Sequence, residues 1–465
     1  MIYVRTCAYN AEKTLRRAIE SILNQTYGDF LFYILDNGST DGTRDIIRYY
    51  AEKDDRIVPF YNERNFDRLE NFDFWNLIDS LSEGDYICFL DADDAYDILF
   101  LEESLRFLME NELDMVMCGT VFMDAKTWSP CGNKVLSRDI ILKDKNDFEN
   151  YFPAIYWNLR AMWGKLCTVK AKFPYSGANK QPEWYPVYGG DTVNVFAALA
   201  NIDRIGIIAK PLHYYAIFST SESYRWHEGR EKSDVLLFEK AEKLLMEKCG
   251  RVSDRNYCML YAVYFNAIKD TFRVLLESNL DVEKKINISR DIIIHPITQK
   301  IFITQFQVTL EERFDLFVYI VGKLLSLWKE NEGINYSVLE VIFTSINREF
   351  SQLLTRESFV WYMKQCPRVM QDVVLRKYEY AMVNLIAYLN RKDINIDRDF
   401  PYILGQQLAA IQGDEDKYIF FSKRLIQWYI TNNQTKCAEV ELKEWLIILP
   451  EDKDLKTLQR MLKFN

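Results

Sequence analysis

No stretch of this 465-residue chain is long and apolar enough to cross a bilayer. The best candidate, Phe314 to Trp328, is interrupted by Asp315 and Lys323 and falls short of the roughly 20 residues a span needs. It reads as a buried helix, with a peripheral membrane contact as the alternative. Positive charge is in deficit: 58 Lys and Arg face 68 Asp and Glu, a formal net charge of -10, so no nucleic-acid partner is expected. The nine cysteines are scattered, odd in number and without a Cys-x-x-Cys pair, a pattern that fits reduced thiols in the cytoplasm. No secretory leader is expected, because Met1 is followed at once by what reads as a strand, Ile2 to Thr6. Neither GxxxxGK[ST] nor GxGxxG occurs, so neither a P-loop nor a dinucleotide fingerprint can account for phosphate handling.

What is present supports large cores. Hydrophobic residues make up 49% and aromatics 15%, and the length exceeds one ordinary core, so two domains are expected, with three as the alternative. The first 122 residues alternate short apolar runs with helical spacing. Ile2 to Thr6 is followed by Asn10 as a candidate N-cap and by Leu15, Ala18, Ile19, Ile22 and Leu23 on one helical face. Phe30 to Leu35 leads into Asp36, Asn37 and Gly38, a turn signal, with Ser39 or Thr40 as the next cap. Ile57 to Tyr61, Ile87 to Leu90 and Met115 to Phe122 complete five predicted strands, with helices over Phe72 to Ile78 and about Leu99 to Met109. Such alternation implies parallel strands and right-handed crossovers.

In a parallel sheet all strand-to-helix loops lie on one edge, where ligands bind. Cys7 to Asn10, Asp36 to Asp41, Asn62 to Arg68 and Asp91 to Asp94 are therefore expected to converge. Asp91-Ala92-Asp93-Asp94 taken alone is an acidic turn in which Asp94 caps the following helix. If the chain stays extended there, Asp91 and Asp93 point to one side and Ala92 to the other. On a ligand edge that pair can hold a divalent cation against a diphosphate, and Asp36 can accept hydrogen bonds from a ribose or a base.

The ordered pieces Ala8-Tyr9-Asn10, Ser21 to Tyr27, Leu35 to Thr43 and Gly84 to Asp94 resemble the family 2 inverting glycosyltransferases of GT-A fold. The resemblance implies an α/β fold, a Rossmann-like mostly parallel sheet, followed here by an all-α domain. It assigns Ala8, Tyr9, Asn10, Asp36, Asn37, Asp91 and Ala92 to the nucleotide sugar, and Asp91 and Asp93 to a divalent cation, Mn²⁺ or Mg²⁺. Arg68, in a loop that resembles a variant of the family, joins the donor contacts. Cys7 stands where the family has proline and Asn37 where it has a second aspartate, and neither change removes a charge the mechanism needs.

Farther on, Asp124 to Ala161 is irregular and is read only as part of the acceptor side. Ala161 to Leu166 resembles the family's segment ending in Lys-Leu, with Trp163 either stacking on a sugar or buried in the core. Asp191 reads as an N-cap on its own; the resemblance makes it the general base, with Gly190 in place of the family's glutamate. Pro211 to Tyr215 and Ser221 to Ser223 resemble the closing strand and loop. Either His213 or His227 can supply a third metal ligand, as a late histidine does in some GT-A enzymes. Arg225 is a candidate phosphate contact in place of the arginine that Ala216 lacks. From about Ser233 only helical spacing remains, with a faint helix-pair pattern near Ala438 to Leu449.

The expected organisation is a GT-A domain over 1–232 and a helical domain over 233–465 for acceptor binding, a partner or self-association. The expected activity is metal-dependent, inverting transfer from a nucleotide sugar, a UDP-sugar favoured, to a hydroxyl of a glycan, lipid-linked or protein acceptor in bacterial surface polysaccharide or glycoconjugate synthesis. Two rivals are a degenerate nucleotide-sugar or glycan binding module and a nucleotidyltransferase on a similar sheet. The expected location is the cytoplasm, including the inner face of the cell membrane.

Overall fold

The computed structural model describes residues 1–65, 74, 76–174, 183–218, 225–303 and 413–464, with scattered helical positions between 312 and 409. The chain falls into two compact units, Met1–Leu260 and Tyr261–Asn465. Arg68, Phe72, Trp75, Ser221 to Ser223 and most of Phe314 to Trp328 lie outside the described residues.

The first unit opens with β1 (Ile2–Ala8), α1 (Leu15–Leu23), β2 (Phe30–Asp36), α2 (Thr43–Ala51), β3 (Ile57–Tyr61), α3 (Leu77–Ser80) and β4 (Tyr86–Phe89). Then come β5 (Ala95–Tyr96), α4 (Phe100–Glu110), β6 (Met115–Asp124), β7 (Pro130–Lys134), β8 (Ile140–Leu142), α5 (Lys145–Ile155), β9 (Lys165–Thr168), α6 (Gly190–Ala200), β10 (Ile205–Ile217) and α7 (Arg230–Cys249). Helix α1 buries Leu15, Ala18, Ile19 and Ile22, the periodic face, against Val4, Phe32 and Ile34 of the sheet. The five predicted strands are present as β1, β2, β3, β4 and β6.

The sheet is mixed rather than all parallel. Its path is β3-β2-β1-β4-β9-β6-β10-β5. Strands β3, β2, β1 and β4 are parallel neighbours, as the alternation requires, whereas β9 enters antiparallel between β4 and β6. Lys165 to Thr168 is thus a central strand; bounded by a lysine and a threonine, it does not read as an apolar run. The irregular stretch 124–161 also carries structure, namely β7, β8 and α5, whose N-cap Asp144 accepts from the amides of Asn146 and Asp147.

Three expected caps are corrected. Asn10 lies upstream of α1, whose N-cap is Thr14; Asn10 has a left-handed φ of 49° and accepts at Oδ1 from the Thr40 amide at 2.8 Å. Neither Ser39 nor Thr40 caps α2, because the helix starts after Gly42 and Asp41 Oδ1 accepts from the Thr43 amide at 3.0 Å. Asp94 does not cap α4; Asp97 Oδ1 accepts from the Leu99 amide at 3.0 Å and Asp94 is buried.

In the second unit the described helices are most of α8 (Asp254–Glu277), α9 (Val282–Ile294), α10 (Pro296–Ile303), α11 (Glu415–Thr431), α12 (Thr435–Ile448) and α13 (Lys453–Phe464). The last three share a small core of Ile426, Ile430, Ala438, Leu442, Leu455 and Leu458. Among the described residues no helix is long and apolar enough to cross a membrane.

Candidate active site

Hydrogen bonds of parallel pairing bring the carboxyl ends of β1, β2 and β4 to one edge, and the loops there are tied to each other. Asn10 N donates to Ser39 Oγ at 3.0 Å, Ala11 N to Thr43 Oγ1 at 2.7 Å and Asn37 N to the Ala8 carbonyl at 2.8 Å. Asp36 is fully buried: Oδ1 accepts from the Ser39 amide at 3.0 Å and Oδ2 from Arg44 Nε at 2.7 Å. Its carboxylate therefore holds the turn from below. Asn37 joins two loops through side chains, accepting from Asn62 Nδ2 at 2.8 Å and donating to Asn65 Oδ1 at 2.9 Å. Ala8 is buried as well, while Tyr9 is 47% exposed.

Asp91 to Asp94 form a turn, closed by the Asp94 amide on the Asp91 carbonyl at 3.2 Å, and not the extended run that would turn Ala92 away. Ala92 faces the same cleft as both acids. That cleft, about 560 Å³, is lined by Tyr9, Asn10, Glu12, Asp41, Asp91, Ala92, Asp93 and Phe218, among others. One oxygen each from Asp91, Asp93 and Asp94 lies within 4.8 Å of the others, a donor set suited to a hard divalent cation. All three carboxyls have raised pKa values, Asp94 from burial and then the Asp93 charge, and Asp93 from burial. For Asp91, burial and crowding by Asp94, Asp191 and Asp93 all act upward; because its side chain opens to solvent, crowding is the firmer cause. Repulsion of this kind is what a cation would relieve.

Behind the turn sits His213, fully buried on β10. Its Nε2 lies 3.1 Å from Asp94 Oδ2 and its Nδ1 3.3 Å from Thr120 Oγ1. With both ring nitrogens engaged, His213 braces Asp94 in place of the expected direct contact to a cation. Burial, then the Lys165 charge, pushes its pKa down to about 3, so the imidazole is neutral near pH 7. The Ala216 amide donates to Asp94 Oδ1 at 2.8 Å, which fills the other oxygen. Trp163 stacks on the His213 ring, centroids 4.4 Å apart and planes within 18°. One face packs on the histidine, and the residue also lines a second cleft.

That second cleft, about 720 Å³, is walled by Trp157, Arg160, Trp163, Tyr185, Tyr188, Asp191 and Tyr215, among others. Asp191 stands in the first turn of α6 and is exposed, one residue past Gly190. The helix cap is Gly189, at φ 78°, so Asp191 is not the N-cap. Its charge nonetheless reaches Asp91 and raises that carboxyl's pKa. The charges of two aspartates a hundred positions apart thus act on each other, each from the lining of its own cleft.

Residues 3–152 match the model of Glycosyl transferase family 2. That segment belongs to glycosyl transferase family 2. Its relatives include an uncharacterised glycosyltransferase of Methanocaldococcus jannaschii, 37% identical over 127 residues, which are 27% of this chain and 43% of that protein. A Bacillus subtilis protein provisionally named as the teichuronic acid biosynthesis glycosyltransferase TuaG is 33% identical over 123 residues, 26% of this chain and 48% of that one. The chain spans less than half the length of these two relatives. A crystal structure of S. aureus TarS 1-349 superposes with a TM-score of 0.46 at 16% identity, over 74% of this chain and 90% of that one. So loose a superposition says nothing of function.

The family 2 segment also uses residues that sequence reasoning missed. Arg17 on α1 donates from Nη2 to the Asp93 carbonyl at 2.9 Å, and its guanidinium lies 3.4 Å from the Trp128 ring centroid. Arg44 closes on Asp36 and on the Asn62 carbonyl. Both sit on helical faces that look like ordinary solvated arginines in sequence. Beyond the matched segment, Lys165 is buried and donates to the carbonyls of Asn158, Ala161 and Trp163, fixing the turn that carries Trp163. Burial lowers its pKa to about 8.

Proposed function

We propose that the chain is a metal-dependent, inverting glycosyltransferase that moves a sugar from a nucleotide sugar to an acceptor hydroxyl. The observation that carries this reading is the cluster of Asp91, Asp93 and Asp94, one oxygen of each within 4.8 Å of the others, inside the segment that matches Glycosyl transferase family 2. Asp91 and Asp93, with Asp94 braced behind them, would hold the divalent cation. When bound, the cation would supply charge stabilisation for the leaving diphosphate. The exposed Tyr9 ring is placed to cover a base or ribose. Asp36, Asn37 and Asn10 act on the nucleotide by holding its loops together. Asp191 takes the proton of the acceptor hydroxyl as that oxygen attacks the anomeric carbon. The bond to the nucleoside diphosphate breaks and the leaving oxygen keeps the electron pair, so configuration inverts.

A UDP-sugar is the first donor to test. The acceptor is a hydroxyl of a glycan, lipid-linked or protein substrate, and the naming of one relative for teichuronic acid biosynthesis supports a role in bacterial surface polysaccharide. General base catalysis contributes about 10²- to 10⁴-fold. Asp191→Asn should lose transfer in that range while retaining nucleotide affinity by calorimetry. The donor panel is run with and without Mn²⁺, and the product is identified. Unchanged turnover in Asp191→Asn would remove the base, pyrophosphate release would point to nucleotidyl transfer, and nucleotide binding without product from any donor would leave a binding module.

A further inference from the structure

The wall of the larger cleft beside Asp191 is an interlock between a glycine and a phenol. A Cβ on Gly190 would fall 2.6 Å from Tyr185 Oη and 3.0 Å from its ring, so the phenol lies directly on the first turn of α6. Asn194, one turn farther and buried, donates from Nδ2 to Tyr185 Oη at 2.9 Å and to the Gly190 carbonyl at 3.3 Å. A phenol oxygen can both donate and accept, and the bond from Asn194 fixes its place at the wall of the cleft. Tyr185 lines the same cleft as Asp191, Trp157, Trp163 and Tyr215. Flat aromatic faces around a few fixed polar groups match a sugar ring, whose C–H faces are apolar and whose edges carry hydroxyls.

We propose that Tyr185 is an acceptor-specificity residue: its hydroxyl, set by Asn194 over Gly190, binds one hydroxyl of a pyranoside acceptor while a neighbouring hydroxyl meets Asp191. The proposal rests on the transferase reading above. Tyr185→Phe keeps the ring on Gly190 and removes only the oxygen, so it separates binding from packing. Gly190→Ala does the reverse, pushing the ring aside while leaving the phenol intact. A loss of packing alone would slow reaction with water and with sugar together, whereas a lost acceptor bond changes how donor is shared between them.

The test uses the full chain, a panel of nucleotide sugars, and the methyl pyranosides of glucose, galactose and mannose as probes. The readout is the ratio of glycosylated probe to hydrolysed donor. One hydrogen bond to a neutral hydroxyl corresponds to a fall of about 5- to 10-fold in that ratio for Tyr185→Phe, and Gly190→Ala should fall by at least as much. A wild-type ratio in either variant overturns the proposal. A wild-type enzyme that hydrolyses donor but glycosylates none of the three pyranosides also overturns it and leaves the transferase reading standing. If the wild type consumes no donor, that reading fails and this one with it.

Discussion

Gly38→Ala offers a sharp test of how the donor-side loops are held. Gly38 has φ 74°, and a Cβ built there lies 2.0 Å from the Arg64 carbonyl carbon and 2.4 Å from both the Arg64 oxygen and the Asn65 nitrogen. These are backbone atoms, so no rotamer change can relieve the overlap. Ordinary contact begins near 3.4 Å, so the loop after β3 must retreat by the difference, 3.4 minus 2.0, about 1.4 Å. That shift strains three bonds: Asn62 N to the Asp36 carbonyl at 2.9 Å, Asn62 Nδ2 to Asn37 Oδ1 at 2.8 Å and Asn37 Nδ2 to Asn65 Oδ1 at 2.9 Å. At about 1 kcal/mol each they contribute about 3 kcal/mol. The left-handed backbone adds about 1 kcal/mol. The total of about 4 kcal/mol corresponds to a fall of about 10 °C in melting temperature for a domain of this size. Gly84→Ala is the control, since Gly84 has φ 97° but nothing within 4 Å of its added carbon. It should show the backbone strain alone, a loss of about 3 °C. Thermal melting by circular dichroism reads both variants, and calorimetry with UDP and Mn²⁺ reads the donor side, where Gly38→Ala should weaken affinity about tenfold. If Gly38→Ala melts with Gly84→Ala and binds UDP like the wild type, the loop contacts are not what orders this edge.

Two further outcomes follow from the acidic turn and the buried thiols. Mn²⁺ should stabilise the wild type, by about 2.7 kcal/mol at a hundred times its dissociation constant, and should lose that effect in Asp91→Asn. Equal melting shifts in the two proteins would remove Asp91 from the cation site. Burial pushes the thiols of Cys118 and Cys167 up to about 12 and raises that of Cys88, so little thiolate forms at pH 8, on the order of 10⁻⁴ for the first two. Because a raised thiol pKa keeps the unreactive form on this side of pH 12, iodoacetamide should label the exposed Cys7 and Cys131 and reach these three only after unfolding. Labelling of Cys118 in the native protein by mass spectrometry would contradict the packing of β6.

The parallel half of the sheet was legible because its signals are local. Ile2 to Ala8, Phe30 to Asp36 and Tyr86 to Phe89 are apolar runs long enough to show, and helical spacing separates them. The capping positions were less legible: Asn10, Ser39 and Asp94 all have cap chemistry, yet each is taken by a contact from a distant segment or from its own turn. Asp94 in particular becomes a buried partner of His213, 119 residues away, which no spacing rule anticipates. The antiparallel strand β9 was hidden because Lys165 opens it and Thr168 closes it, so it does not read as an apolar run, and its place is decided by edges that β4 and β6 offer on either side.

By itself, then, the chain's order of residues determined the strand-and-helix rhythm, the ligand edge and the acidic turn at Asp91 to Asp94, whereas Asp191 became a candidate only through the family resemblance. The first three depend on neighbours within a few residues, where propensity and turn chemistry act. Only the tertiary structure decided that the charge of Asp191 is felt at Asp91, that His213 braces Asp94 instead of facing the cleft, and that Tyr185 fills the space over Gly190. Those outcomes depend on which side chains share one small volume after the sheet has closed, and packing on that scale is set by the whole unit at once.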